Sequence, residues 1–386
     1  MRATIDQSAF QNAISLVQGI AQTKISNPIV ENTVLKVSSD HFEVLATNLS
    51  VSLRVRLEVR DTEEGEIALP AKLLSQVARE LPEGDVALHL SKHELKIQAG
   101  RSKFNLCGMT TEDFPPFLPN VEGPVLEIPA PIAAQALERT VFATTDERAR
   151  YQLGGVKFFH DGGKVQWIAT DGRRMSRSTH ELEDTSGAKC TMLVPARTAQ
   201  ELLRALPDSG NLRITVGEKR VLFEAGNTTI ASTLLEDNFP PYQALIPSGY
   251  NIKIQMDRDE LMAAVRRAQV LASERSRLVQ LAAKKGTIVV SGERQEAGGA
   301  TSEIDATTDS QSAVVSYNAG FLLDFLRVVG PGRLNWSLVN DGGAAYFTKE
   351  DDDSFLHIIM PMTVREEEEA AEASGGDDDT EEAEED

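Results

Sequence analysis

The sequence predicts an α+β fold built as three tandem copies of one unit that carries two helices and two sheets. Two observations carry that reading most of the way. Residues 69 to 119 (LPAKLLSQVARELPEG…DFPPFLP) and 194 to 247 (VPARTAQELLRALPDSG…NFPPYQALIP) share one grammar. Each opens with an aliphatic residue, Pro, Ala and a base, runs through a Leu-rich helix to Leu-Pro, and closes on Phe-Pro-Pro. Pro70 to Pro115 and Pro195 to Pro240 both span 45 residues, and the copies are offset by 125. Upstream, LATNLSVSLRV (45–55) matches IATDGRRMSRS (168–178) at an offset of 123. A fainter third copy starts at Val315, passes through NAGFLLDFLRVVG and ends in FLHIIMPM. A period of this length marks a repeat architecture.

Each copy starts the same way: RATIDQSAFQNAI, LEIPAPIAAQAL and IKIQMDRDELMAAV all read as a short strand and then a helix. In the first, residues 7 to 20 form the helix, with Phe10, Ile14 and Val17 on one face at i, i+4 and i+7. VLKVS, HFEVLAT and SLRVRLEV then alternate at period two, as half-buried strands do. The pattern restarts with EIALP, a helix from Ala71 to Glu80, and strands VALHL, ELKIQA and KFNLC. Leu81-Pro82 stops that helix, because proline cannot continue it. The copies fall near 1–122, 123–250 and 251–364, followed by a tail at 365–386.

Composition constrains the function. Apolar residues make up 41% and aromatics 5%, so the cores are built from Leu, Val, Ile and Ala. No stretch is apolar for long enough to cross a membrane, and Met1 to Phe10 lacks a signal pattern. Both point to a soluble cytoplasmic protein without a membrane partner. Cys107 and Cys190 lack metal-ligand spacing and read as small core fillers. The net charge of −20 is uneven: the tail alone holds thirteen acids and one arginine, leaving −8 on the other 364 residues. Such a tail buries too little to offset its ordering entropy and is expected to be disordered. The charge on the body excludes a protein held to nucleic acid by a basic outer surface, but not one with a locally basic face.

Three copies supply six helices, and two chains joined end to end supply twelve. Axes about 10 Å apart then lie on a circle of roughly 38 Å, leaving about 28 Å clear, enough for a B-form duplex. An open arc satisfies the same count.

The tandem copies, ATDGRRM (169–175), DNFPPY (237–242) and IIMPM (358–362) together resemble the bacterial beta sliding clamp family over residues 1 to 364. The resemblance implies the DNA clamp fold: a head-to-tail homodimeric ring, helices inside and sheets outside. It implies a processivity factor that encircles duplex DNA and tethers the replicative DNA polymerase, opened by a clamp loader and shared with repair polymerases and mismatch-repair proteins. It further implies nucleoid association, no catalytic residue, no metal and no cofactor.

The family's peptide cleft between the second and third copies maps onto Leu153, Thr170, Gly172, Arg173, Arg174 and Met175, then Pro240 and Leu245. Asn318, Phe321, Ile359, Met360, Pro361 and Met362 complete it. Methionines and aliphatic groups make an adaptable pocket, and the two arginines suit carboxylates or carbonyls at its rim. Without the family, Met and Ile in a terminal strand read more readily as core than as pocket. Ala244, Ser276 and Thr363-Val364 depart from the family's usual basic, aromatic and Arg-Leu residues. The ring contact maps onto Phe104, Leu106, Val270 and Leu271, positions that also suit an ordinary core. DNA contact maps onto Lys24, Arg150 and Tyr151. Lys72, Arg79, Arg139, Arg197, Arg204, Arg266 and Arg267 join them as bases on expected helices, where solvated charge is the plain alternative.

Two rival classes follow from the residues alone. An enzyme is disfavoured, since no Walker loop, zinc spacing or nucleophile elbow is present. Asp351-Asp352-Asp353 reads as an exposed turn before a magnesium site, and Asp171-Gly172 as a turn between strands. A repeat-built protein scaffold without DNA is the other rival; the bases on the expected helices count against it, and the acidic tail mildly favours it.

Overall fold

A computed structural model of the chain describes residues 1–21, 28–116, 121–145, 153–182, 189–294, 297–308 and 312–362. The expected acidic tail lies outside the described residues. Contacts divide the chain into two compact units. The first joins Met1–Leu137, Gly155–Val165 and Glu181–Asp237; the second joins Glu138–Gly154, Gln166–His180 and the chain from Asn238 onward.

Along the sequence the elements fall into three similar runs. The first contains β1 (Arg2–Asp6), α1 (Gln7–Ala21), β2 (Asn32–Val37), β3 (Phe42–Thr47), β4 (Val51–Leu57) and β5 (Arg60–Glu63). It continues with β6 (Gly65–Pro70), α2 (Ala71–Arg79), β7 (Asp85–Ser91), β8 (Glu94–Ala99) and β9 (Ser102–Cys107). The second comprises β10 (Val125–Pro129), α3 (Ala130–Glu138), β11 (Gly155–His160), β12 (Lys164–Thr170) and β13 (Arg174–Glu181). Then come β14 (Cys190–Pro195), α4 (Ala196–Ala205), β15 (Asn211–Val216), β16 (Arg220–Ala225) and β17 (Thr228–Thr233). The third runs through β18 (Ile252–Asp257), α5 (Arg258–Val270), β19 (Leu278–Lys284), β20 (Thr287–Arg294) and β21 (Gly298–Thr308). It ends with β22 (Ala313–Asn318), α6 (Ala319–Val328), β23 (Arg333–Leu338), β24 (Ala345–Lys349) and β25 (Asp352–Ile359). The three-copy α+β reading therefore holds, with β5 as an additional short strand. Among the described residues no helix is long and apolar enough to cross a membrane.

The Pro-Ala-base signatures are strand-to-helix junctions. Pro70 and Pro195 end β6 and β14 with φ of −56° and −52°, and α2 and α4 start at the next residue. Proline suits that position because it fixes φ and the missing N–H falls where a helix leaves donors unpaired anyway. In the third copy polar caps do the same work. The Asp257 carboxylate accepts from the amides of Asp259 and Glu260, and the Asn318 side chain accepts from Gly320 N–H.

In the first unit, one sheet runs β5-β1-β7-β8-β9 and another β10-β15-β16-β17-β4-β3-β2-β6. The α1 helix lies on β3 and β4 and also packs against α2 and α4. Phe10 from its apolar face meets Phe42 with ring centroids 6.2 Å apart. The expectation of half-buried strands holds for β4, where Arg54 and Arg56 occupy the more open face, and fails for β2 and β3, which apart from Lys36 are buried on both faces. The second face is covered by the chain after β9. Ala68 and Met109 exchange both backbone hydrogen bonds, and Phe114 packs on Val34, Leu45 and Ala68. Cys107 is a second correction: it is exposed, on the outward side of the edge strand β9. Cys190 is half-buried, and burial pushes its thiol up to about 11.

In the second unit the strands run β13-β25-β24-β23-β18-β21-β20-β19-β22, with α5 and α6 packed on them. Trp336, Tyr317, Phe325, Phe347 and Phe355 are fully buried there. Successive copies join through antiparallel strand pairs. Ser232 of β17 sits opposite Val51 of β4, and Ile359 of β25 opposite Arg174 of β13. Each compact unit therefore draws on more than one copy.

Truncating a buried phenylalanine removes its transfer energy and leaves a cavity, together about 3–5 kcal/mol. Phe10→Ala is expected to lower the protection of the α1 amides in native-state hydrogen exchange by that amount. Leu73→Ala, on the exposed side of α2, is expected to change it by less than about 0.5 kcal/mol.

Candidate partner-binding site

The β12–β13 turn is built from its own side chains. Thr170 Oγ1 donates to Arg174 O at 2.7 Å and accepts from Gly172 N–H at 3.1 Å. One Asp171 carboxylate oxygen accepts from both the Arg173 and Arg174 amides at 2.9 Å. Gly172 has φ of +86°, a conformation that costs glycine little. Asp171-Gly172 is thus a turn, as its sequence reads.

Arg174 corrects an expectation. It is only 9% exposed and offers no open rim group. Its guanidinium donates to Asp171 Oδ2 at 3.0 Å, to Asp324 Oδ2 on α6 at 2.7 Å and to Phe142 O at 2.6 Å. It also lies 4.4 Å from the Phe321 ring centroid and 5.4 Å from that of Phe142. A planar cation with a fork of donors suits this lining. Arg173, by contrast, is exposed, and its carbonyl accepts from Met360 N–H at 2.8 Å.

The remaining cleft positions separate by burial. Thr170, Met175 and Ile359 are buried, Met175 against Tyr242 and Tyr346, and Ile359 in the core of the second unit. Leu153 borders Gly172, where an added Cβ would lie 3.9 Å from its Cδ1. Met360, Pro361 and Met362 are half-buried where the chain leaves β25, with Met362 N–H bonded to Ser316 O. Phe321 is half-buried beside Arg174. Leu245 is exposed, its carbonyl held by Tyr346 Oη at 2.9 Å, and Pro240 O accepts from Tyr242 N–H. Asn318 caps α6 and donates to the carbonyl of buried Ser276 at 3.0 Å. Sequence reasoning missed Asp324 and Phe142, the partners of Arg174. The Asp171–Arg174 spacing was the one local signal.

Of the expected DNA contacts, Lys24, Arg150 and Tyr151 lie outside the described residues. Arg139 is a correction. Helix α3 ends at Glu138, so Arg139 falls beyond it and turns inward, 6% exposed. It bonds Asp352 Oδ2 at 2.7 Å and Ser354 Oγ at 2.9 Å over the Phe355 ring. That also commits the middle residue of Asp351-Asp352-Asp353. Lys72 and Arg79 are exposed on α2, as are Arg266 and Arg267 on α5. Arg197 and Arg204 on α4 flank buried Glu201, and each donates to an α1 carbonyl, Gly19 and Ser15. Burial raises the Glu201 carboxyl pKa against the opposing pull of both arginines.

The expected ring-contact residues are divided. β9 is the edge of its sheet, with Phe104 half-buried and Leu106 buried on it. Val270, at the end of α5, is 75% exposed, and the following Leu271 is half-buried.

His357 lies beneath the site, wholly buried. Its Nδ1 pairs with Ser176 Oγ at 2.7 Å, and its ring stacks on Phe325. Burial, reinforced by the Arg174 charge, holds its pKa well below the usual value. The unfolded chain takes up this proton near pH 6.5 and the folded chain resists it. Its contribution to stability is therefore full above about pH 6.5 and declines as pH falls below it, by up to about 1.4 kcal/mol per unit. His357→Gln is expected to flatten that slope. Both tryptophans, Trp167 and Trp336, belong to the second unit, so their fluorescence in urea reads it. In the same assay at pH 7, Arg174→Met is expected to cost about 2–4 kcal/mol, because Asp171 loses its cation, Asp324 keeps only Arg327 and the Phe142 carbonyl loses its donor.

Three domain families of the DNA polymerase III beta subunit match in order. The N-terminal domain matches residues 1–119, the central domain 127–241 and the C-terminal domain 243–363. A beta sliding clamp of Caulobacter vibrioides is 30% identical over 340 residues, covering 86% of this chain and 91% of that protein. One from Pseudomonas aeruginosa is 28% identical over 352 residues, covering 89% and 95%. The crystal structure of the Pseudomonas aeruginosa DnaN sliding clamp bound to griselimycin superposes with a TM-score of 0.86 at 27% identity, covering 94% of this chain and 99% of that one. A Bartonella birtlesii DnaN clamp, also bound to griselimycin, gives 0.86 at 26% identity with the same coverage. With three matching domains in sequence and relatives alike along nearly their whole length, the chain belongs to the DNA polymerase III beta subunit family, the bacterial sliding clamps.

Proposed function

We propose that this chain is the processivity factor of a replicative DNA polymerase: a ring of two chains, joined head to tail, that encircles duplex DNA and slides on it without reading sequence. The carrying observation is the family match from residue 1 to residue 363, in three consecutive domains. The copies are taken to divide near 122 and 250. Exposed Val270 and the unpaired edge of β9 support a chain-to-chain contact there, since an open strand edge and an exposed apolar group both invite a partner.

Partner proteins dock by a short peptide on the strip formed by Leu245, Met360, Pro361 and Met362, with Arg173 as the available cation and Gly172 opening the floor beside Leu153. Methionine side chains refill such a groove around different peptides. That adaptability suits a surface shared by a clamp loader, a replicative polymerase, repair polymerases and mismatch-repair proteins. Lys72, Arg79, Arg266 and Arg267 meet phosphates, which gives attraction without base readout. A polymerase tethered in this way rebinds at high effective concentration after each release. The reading asks no catalysis, metal or cofactor of the chain, and it places the protein in the cytoplasm at the nucleoid.

The test loads the protein onto a nicked circle with its cognate loader and ATP, then cuts half the circles once. Retention on the circle and loss from the cut form are expected. Equal retention on both would mean surface binding and would favour the scaffold reading. Loss from both, with a loader active on a control clamp, would refute ring closure. Met360→Ala with Met362→Ala is expected to lose both loading by the clamp loader and stimulation of polymerase processivity, while the two-chain ring still forms on gel filtration.

A further inference from the structure

The β12–β13 turn has a counterpart in the first copy that matches bond for bond. Thr47 Oγ1 donates to Val51 O and accepts from Leu49 N–H, as Thr170 does with Arg174 and Gly172. The Asn48 side chain accepts from the Ser50 and Val51 amides, as Asp171 does from Arg173 and Arg174. The neighbouring strand repeats as well. Thr233 N–H bonds Ser50 O at 2.9 Å where Met360 N–H bonds Arg173 O at 2.8 Å. Leu235 N–H bonds Leu193 O where Met362 N–H bonds Ser316 O. Thr233 is thereby the equivalent of Met360, Ser232 of Ile359, and Leu49 of Gly172.

At this counterpart the first unit has an open cavity of about 230 Å³. Its walls are the β3–β4 turn, the Pro115-Pro116 pair, the start of β16 at Arg220 and the end of β17. Proline, turn and strand end recur from the other site, but the chemistry differs. Hydroxyls of Ser50, Ser52, Ser232 and Thr233 stand where the other site has Arg173, Met175, Ile359 and Met360. Arg220 is exposed and makes no ion pair among the described residues. The volume is below the roughly 300–1,000 Å³ of a small-molecule pocket, which leaves room for one or two side chains.

Leu49 supplies a second, independent observation. It holds φ of +75° and is 55% exposed, although its equivalent is glycine. A bulky residue in that region is strained, and an apolar side chain in water is unfavourable. The cost of exposure is removed when a ligand covers the leucine, whereas the backbone cost is one that glycine would avoid.

We propose that this cavity is a second peptide site, which takes an extended acidic segment of a partner protein. A glutamate or aspartate carboxylate pairs with Arg220, the exposed Ser50 hydroxyl bonds a polar group of the segment, and an adjacent apolar side chain covers Leu49; the Ser52, Ser232 and Thr233 hydroxyls are bonded within the protein and line the wall. Charge complementarity selects this occupant: the free group facing the cavity is a cation in a chain of net charge −20. The site rests on the repeat geometry and stands apart from the ring and the methionine strip.

The probe is the blocked tripeptide acetyl-Glu-Leu-Glu-amide, titrated into the full chain and followed by methyl NMR. Saturable shifts at Leu49 and Ala231 are expected, at least about tenfold weaker for acetyl-Gln-Leu-Gln-amide and abolished by Arg220→Glu. Leu49→Gly is expected to weaken binding while leaving the melting temperature unchanged or raised. Met360 and Met362 methyls report the other strip separately in the same spectra. Equal binding of the neutral peptide, undiminished binding by the Arg220→Glu chain, or shifts confined to Met360 and Met362 would overturn the proposal. So would shifts that emerge only after removal of residues 365–386, because the occupant would then be the chain's own acidic tail.

Discussion

The second unit turns on one guanidinium. Arg174 begins β13, opposite Ile359 of β25, and its side chain ties the β12–β13 turn to α6 through Asp171 and Asp324. Nothing apolar can do both. A hydrocarbon in that place would pack between Phe142 and Phe321 but leave Asp171 without a cation, Asp324 with Arg327 alone and the Phe142 carbonyl without the guanidinium, and a part-buried polar group that loses its partner costs more than a hydrogen bond returns. Such ion-pair clusters add little net stability over a well-packed apolar core; their effect is to permit few alternative arrangements. Holding the turn fixes the Arg173 carbonyl, which holds Met360, and the exposed strip begins there.

The first copy answers the same backbone problem by other means. Its residue equivalent to Arg174 is Val51, buried between β3 and β17, and its equivalent of Asp171 is Asn48. The hydrogen bonds of the turn are shared, whereas the side chains that secure it are apolar in one case and ionic in the other. The ionic junction is the one with buried His357 beneath it and the Arg139–Asp352 pair on the same strand. Acid therefore acts on the second unit through a group the first unit's junction lacks. The two junctions share a backbone ancestor in geometry and differ in what they can sense and bind.

Much of this was legible in the sequence, for reasons that identify what was not. The Pro-Ala-base junctions, the apolar face of α1 and the Thr-Asp-Gly turn are local: each is set by residues within a few positions, and local chemistry repeats when the sequence repeats. Burial of an arginine is different. Arg139 and Arg174 find acids 213 and 150 residues away; the only local partner acid is Asp171, three residues before Arg174, and that spacing fits an exposed turn as well as a buried pair. Helix α3 stops one residue before Arg139, and that charge lies in the core and not on the expected DNA-facing side of a helix. The double burial of β2 and β3 escaped for a related reason. Period-two alternation shows which face meets the helix, but Phe114 arrives on the other face from a distant segment.

The distribution of free cations bears on how such a protein holds DNA. Arg197 and Arg204 share Glu201 and are bonded to α1 carbonyls, so they are partly committed to packing. Lys72, Arg79, Arg266 and Arg267 carry the exposed charge. Each phosphate neutralised lowers the slope of log affinity against log salt by about 0.9, so a handful of contacts gives weak, strongly salt-dependent attraction. For a protein that must stay bound by affinity, that would be a defect. For one retained by encirclement it is a requirement, because each tight contact would have to break at every step of sliding. The net charge of −8 on residues 1–364 adds the complementary constraint: it repels duplex DNA in general, so attraction is left to the few bases that helices present. Weak local attraction and a closed path are therefore two parts of one solution, and strengthening the first would impair the second.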